Sequence, residues 1–344
     1  MNFNSDNTSG AAPEILAALV AANDGYSASY GGDALMAQVT RQARELFEAP
    51  EAAVHLVATG TAANALALSI LCPPWSAVFC HAQAHIQVDE CAAPEFFTGG
   101  AKLLPVAGED AKLDLAALDT AMSATGCNGV HTVSPGVVSI SNVTELGAVY
   151  RPEEVAAVAG VARRHGAAVH MDGSRFANAI AATGASPADM TWRAGVDVLS
   201  FGGTKNGCLG VEAVVIFDGA RSREFELRRK RAGHLFSKHR FLSAQMAAYL
   251  SDGLWLDLAG RANAAAARLA EGLTRNDFVR ALHPVQANML FLEWPAAVGD
   301  RLSAAKSPFK RWPRPDGREA VRLVTSWRAS AEEIDRFLAI AASG

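Results

Sequence analysis

Val196-Asp197-Val198-Leu199-Ser200-Phe201-Gly202-Gly203-Thr204-Lys205-Asn206-Gly207 is the stretch on which the reading of this chain turns. The apolar run through Phe201 predicts a buried strand, and the glycine pair with Thr204 breaks the pattern and presents one lysine, Lys205. Upstream, Ala167-Ala168-Val169-His170-Met171-Asp172-Gly173-Ser174-Arg175 reads as a second short strand that ends in a carboxylate and a guanidinium. Outward from these two, β-branched runs alternate with alanine-rich stretches. Val54–Ala58, Ala77–Cys80 and Val211–Phe217 read as further strands. Thr61–Leu71, stopped by Pro73-Pro74, and Pro152–His165, with Gly166 just past its end, read as helices. Strands separated by helices predict an α/β fold with a mainly parallel sheet flanked by helices.

The character changes near residue 221. Arg221–Gln245 is strongly charged and helical in pattern, and a long helix is expected over roughly Ser251–Leu273. Short strands follow at Asn288–Leu292 and Ala320–Val324, then a final helix from about Ala331. Ser307–Gly317, rich in proline and basic residues, reads as an exposed loop. The division expected is an N-terminal arm (1–12), a large α/β domain (13–245) and a smaller C-terminal α+β domain (246–344).

The chain has 344 residues, half of them apolar, and a net charge of −4. That length supports a substantial core. Arg228-Arg229-Lys230-Arg231 is the only long basic run, which argues against nucleic acid as a partner. Five cysteines without a CxxC pair favour neither disulfides nor a metal site. The polar N-terminal residues carry no signal-peptide pattern, and no apolar run reaches the length of a membrane span. A cytoplasmic protein is expected.

A lysine and an aspartate at the ends of two such strands are what pyridoxal phosphate needs: the lysine binds its aldehyde, and the carboxylate keeps its pyridine nitrogen protonated. Thr59-Gly60-Thr61 follows a strand and opens a helix, which makes either an ordinary N-cap or an anion site for the cofactor phosphate. His85 stands just after a strand, where an imidazole either stacks on the pyridine ring or takes a proton; His131 invites the same reading. Asp172 and Arg175 are either a strand-end ion pair or contacts to the pyridine nitrogen and to a phenolic oxygen or substrate carboxylate. Arg322, on an alternating strand, either faces water or grips an α-carboxylate through two parallel hydrogen bonds. Arg231 and Lys238 lie on a solvated basic face or supply charge to the cofactor phosphate of a neighbouring subunit.

Together these residues resemble the threonine aldolases, in the β-eliminating lyase group of fold-type I pyridoxal phosphate enzymes. Ser5-Asp6-Asn7-Thr8, Tyr30-Gly31-Gly32-Asp33, Thr59-Gly60-Thr61-Ala62-Ala63-Asn64, Met171-Asp172-Gly173-Ser174-Arg175, Asn288-Met289-Leu290-Phe291 and Val321-Arg322-Leu323-Val324-Thr325 follow the family's motifs in order. The resemblance implies a PLP-dependent carbon–carbon lyase that cleaves L-threonine and L-allo-threonine to glycine and acetaldehyde. It implies Lys205, His85 and His131 as catalytic groups, and Ser5, Tyr30, Arg175 and Arg322 as substrate contacts. It also implies a homotetramer of tight dimers with active sites at the dimer interface. One departure stands out: where the family often has Ser-Leu-Glu-Asn-Thr, this chain has Ser139-Ile140-Ser141-Asn142-Val143-Thr144-Glu145, so Ser141 takes the place of a glutamate.

The same scaffold hosts aryl-serine aldolases, aminotransferases, racemases and other lyases, and a non-catalytic PLP-binding protein would keep the same residues. A nucleotide-binding α/β protein is disfavoured, because the first strand–helix turn carries neither GxGxxG nor a Walker pattern.

Overall fold

A computed structural model describes residues 1–343. Seven strands build the larger sheet: β1 (Ala53–Val57), β2 (Ser76–His81), β3 (Lys102–Val106), β4 (Ser134–Ser141), β5 (Ala168–Gly173), β6 (Val198–Gly202) and β7 (Glu212–Ile216). They lie in the order β1-β7-β6-β5-β4-β2-β3, and only β7 runs against its neighbours. The carboxyl ends of β1, β2, β4, β5 and β6 therefore share one edge with the start of β7. In sheets of this kind, ligands bind at that edge.

Both faces are covered. Val78, Val137 and Val214 enter one hydrophobic core, while their neighbours Phe79, Val138 and Val215 enter the other. The helix Gly60–Leu71 is apolar nearly all round, and all but its first two residues are buried. Thr59 starts it by accepting the Ala62 N–H.

Four antiparallel strands form a second sheet: β8 (Arg280–Ala281), β9 (Met289–Pro295), β10 (Lys310–Pro313) and β11 (Arg318–Val324), in the order β10-β11-β9-β8. Leu290, Leu292, Trp294, Val321 and Leu323 point to one side and pack on Leu269 and Leu273 of the helix Leu254–Thr274 and on Ile334 and Phe337 of the helix Ala331–Ala342. The N-terminal segment joins this core through Phe3, which donates to Pro308 O and accepts from Val324 N–H. It then runs to the larger sheet, where Ala12 N–H donates to Gly207 O.

Two expectations change. The charged stretch 221–245 is two helices, Ser222–Arg231 and Arg240–Leu250. Gly233, at φ +77°, ends the first, and the N–H groups of Gly233 and His234 close on Lys230 O and Arg229 O. The expected loop 307–317 contains β10. That strand sits at the sheet edge with Pro313 at its end, where no ladder N–H is required.

Candidate active site

Lys205 lies in a one-turn 3-10 helix, Thr204–Asn206, directly after β6. The glycines before it are steric necessities. A Cβ on Gly202 would run into the Ser174 backbone, and one on Gly203 would stand 2.7 Å from Val211 O. Asn206 pins the turn from below by donating to Tyr249 Oη and Trp255 O. Burial lowers the Lys205 pKa and nearby Arg175 lowers it further, against the opposing pull of Asp6 and Asp172. Those two effects enrich the free-amine form of Lys205 that acts as a nucleophile.

Asp172 is the penultimate residue of β5 and pairs in register with Ser200 of β6 and Ser141 of β4. Its Oδ1 accepts from Ser174 N–H and Oγ–H, and its Oδ2 accepts from Asn64 Nδ2 at 2.8 Å. Burial raises its pKa, but Lys205 and the Ser174 hydrogen bonds overcome that and hold it below the usual carboxylate value. Asn64 Nδ2 also donates to Glu90 Oε1, which lies 2.7 Å from His85 Nδ1. His85, Glu90, Asn64 and Asp172 thus form one chain of polar contacts. The Glu90 hydrogen bond is the main cause of a raised His85 pKa, with burial opposing it.

Two connected depressions meet at this edge. The smaller, about 230 Å³, is lined by Thr59, Gly60, Thr61, Asn64, His85 and Lys205, among others. The Gly60 and Thr61 N–H groups have no partner among the described residues, because Thr59 Oγ1 satisfies Ala62 instead. The larger, about 630 Å³, shares His85 and Lys205 and adds Ser5, Glu145, Arg175 and Arg322.

A family model for beta-eliminating lyases matches residues 2–295. The chain is 42% identical to the low specificity L-threonine aldolase of Pseudomonas sp. (strain NCIMB 10558) over 325 residues, 94% of this chain and 92% of that protein. It is 41% identical to the enzyme of the same name from Pseudomonas aeruginosa over 333 residues, 96% and 94% of the two chains. The solved Leishmania major threonine aldolase superposes with a TM-score of 0.93 at 30% identity, covering 99% of this chain and 98% of that one. The chain belongs to the beta-eliminating lyase family.

In this family member, Arg322 does not face bulk water. Its β11 neighbours Val321 and Leu323 point into the small-sheet core, so Arg322 points the other way, into the larger cavity. Among the described residues its Nε is buried without a partner, and its Nη2 donates only to Asn4 O. Arg175 is committed differently: Nε and Nη2 both bond the buried Asp6 carboxylate. Ser5 caps the turn Asp6–Thr8 at the same cavity.

The structure leaves other expected residues outside both depressions. His131 is exposed in the turn Gly129–His131 that precedes β4, at the edge of the sheet opposite Lys205. Tyr30 lies in the loop before the helix Ala34–Leu46, with Lys230 Nζ 4.6 Å from its ring centre. Arg231 and Lys238 are exposed. Sequence reasoning assigned no role to Asp6, Asn64, Glu90 or Glu145. Asp6 and Asn64 stand inside quoted motifs, and Glu90 follows His85 by five positions. Glu145 carries no local signal, yet it bonds Ser141, the position where the family's glutamate is missing.

Proposed function

We propose that this chain is a pyridoxal phosphate-dependent aldolase that cleaves L-threonine and L-allo-threonine to glycine and acetaldehyde. The observation that carries the reading is the meeting of Lys205 and the unsatisfied N–H groups of Gly60 and Thr61 around one depression, with Asp172 directly behind it, bonded to the lining residues Asn64 and Ser174. The residues present fit the cofactor. The depression has a buried amine for its aldehyde, and behind its lining residues Asn64 and Ser174 lies the buried Asp172 carboxylate for its ring nitrogen. A helix N-terminus without a Cβ at Gly60 is there for its phosphate, and the Asn64 Oδ1 is left unpaired. When bound, it supplies an electron sink for the pair released from the Cα–Cβ bond.

The chain's own groups do the rest. Lys205 would hold the cofactor by its aldehyde, Asp172 would pair with its ring nitrogen and His85 would support its ring. Thr59, Gly60 and Thr61 would receive the phosphate. Arg322, with free donors, binds the substrate α-carboxylate together with Ser5, and Arg175, whose Nε and Nη2 are spent on Asp6, adds to that clamp through its positive charge and its remaining Nη1. Holding the carboxylate fixes which bond at Cα lines up for cleavage, so the clamp sets the reaction type. Tyr30 serves as a substrate contact across a dimer interface, in a homotetramer. Tyr26 and Phe96, apolar and exposed on the single chain, support such an assembly. The arm (1–12), large domain (13–245) and small domain (246–344) are units of this reading, in keeping with separate cores for the two sheets. The cysteines are unpaired, in keeping with a reducing cytoplasm.

The test is acetaldehyde release from both threonine diastereomers, read with a coupled reductase on protein loaded with the cofactor. Release from either is expected, and no release from a loaded protein overturns the reading. Borohydride should fix the cofactor to the wild-type chain and not to Lys205→Ala; fixation on the variant overturns the lysine assignment.

A further inference from the structure

Glu145 follows β4 and lines the larger cavity together with Lys205, Arg322 and Ser5. Its Oε1 accepts two hydrogen bonds, from Ser141 Oγ–H at 2.6 Å and from the His85 backbone N–H at 2.9 Å. Its Oε2 is buried and has no hydrogen-bond partner among the described residues. A carboxylate oxygen withdrawn from water without a donor is an acceptor left open.

The cavity itself identifies the missing donor. A β-hydroxy-α-amino acid brings an amine, a carboxylate and a hydroxyl. The amine belongs at Lys205, and the carboxylate at Arg322 and Ser5. The hydroxyl remains, and so does Glu145 Oε2. Asp89, the other carboxylate lining this cavity, has a side chain 79% exposed and lies 3.6 Å from His85 Nε2, so it is not an acceptor withdrawn from solvent. We propose that Glu145 takes the proton of the substrate's β-hydroxyl as the Cα–Cβ bond breaks. This deepens the aldol reading and rests on it.

Electrostatics agree with the geometry. Burial pushes the Glu145 carboxyl above the usual carboxylate range, and Asp172 adds to the rise against the Ser141 and His85 hydrogen bonds. A carboxylate made more basic in this way is better matched to a proton-transfer role near neutral pH. The titratable groups around it are Asp172 on β5, His85 after β2, Cys80 on β2 and Tyr150. His85 is the competing base. Its Nδ1 is held by Glu90, and that contact favours the imidazolium, which has no lone pair to offer.

The step balances without a co-reactant. The O–H bond breaks, and its proton goes to Glu145 Oε2. The oxygen pair becomes the second C–O bond of the aldehyde. The Cα–Cβ pair stays with Cα, in the sink the bound cofactor supplies. One proton is later delivered to Cα, and Glu145 gives up the one it took.

The experiment compares Glu145→Gln and Glu145→Asp with wild type, all loaded with cofactor. Three readouts are taken: threonine cleavage across pH, exchange of the glycine α-proton in D2O by NMR, and the infrared carboxyl bands of the protein without substrate. Glycine has no hydroxyl, so its exchange requires the cofactor and the carboxylate clamp but not this base. Glu145→Gln should lose about 10²-fold or more in kcat/KM for cleavage, keep glycine exchange within about threefold, and lose the acid limb of the pH profile. Glu145→Asp should recover part of the loss. Glu145→Gln should also remove an infrared carboxyl band whose midpoint matches that acid limb. Unchanged cleavage, a parallel fall of cleavage and exchange, a persisting acid limb, or no matching band each overturns the proposal. Failure of the wild type to release acetaldehyde while still exchanging glycine overturns the aldol reading instead, and this inference with it.

Discussion

Asp6 and Arg175, 169 residues apart in the chain, meet as a two-point ion pair, Nε to Oδ2 at 2.7 Å and Nη2 to Oδ1 at 3.0 Å. Asp6 also accepts from Asn288 Nδ2 at 3.1 Å. One carboxylate thus ties the N-terminal segment, the larger sheet and the smaller sheet together at the mouth of the site.

Asp6→Asn leaves the Arg175 guanidinium without its counter-ion in a largely buried setting, where breaking one partner costs about 3 kcal/mol or more. Burial pulls the Asp6 pKa up, but Arg175, Lys205 and the hydrogen bonds outweigh it and hold it below 3.8. The pair's contribution is therefore complete above pH 3.8 and is lost as pH falls through the lower folded value. Thermal unfolding should show a large gap between wild type and variant at pH 7 that closes in strong acid.

Arg322→Lys replaces a planar fork by a point charge. Losing the two-point grip should raise KM for the amino acid by roughly 30- to 150-fold, the equivalent of about 2–3 kcal/mol. The cofactor absorbance should not change, because Arg322 lines only the larger cavity. Steady-state kinetics with a spectrum of the loaded protein checks both.

His131→Asn should leave kcat and KM for both threonine diastereomers within about twofold of wild type, because His131 is exposed at the opposite edge of the sheet. A loss of tenfold or more would bring His131 back into the mechanism.

His170 is fully buried between Ser139 Oγ at 2.9 Å and Ser200 Oγ at 3.1 Å, one layer below Asp172. Burial pushes its pKa down to about 4 from 6.5, with Asp172 opposing. The unfolded chain binds this proton at about 6.5 and the folded chain does not, so stability falls as pH drops from 6.5 toward 4. The total is on the order of 3 kcal/mol. Denaturant midpoints at pH 7 and pH 5 should fall less in His170→Asn than in wild type.

What the sequence disclosed follows from how local each signal is. Lys205, Asp172 and Thr59 were legible because each closes an apolar run and opens a turn, and parallel strands carry such turns to one edge. Arg322 had two readings on its strand; only the placement of Val321 and Leu323 in the small-sheet core decides which way it points. His131 carried the same local look as His85, a histidine beside an apolar run, but nothing local distinguishes the start of a strand from its end. Glu145 and Asp6 were missed because their partners are supplied by folding. The Glu145 bond to His85 spans 60 residues, and the Asp6 bond to Arg175 spans 169.

Phe3 and Asp6 are made long before the residues that receive them. During synthesis, β1, β5, β6 and the Lys205 turn emerge while Asn288, Pro308 and Val324 are still untranslated. The edge that would take the cofactor is complete in sequence by then, and Asp6 can already meet Arg175, whereas Phe3 has no seat, and Arg322 is not yet made, until β11 is out and paired with β9. On a nascent chain, capture of the cofactor therefore precedes competence to grip an amino acid. A truncation that ends before β11 should yield a chain that binds the one and not the other.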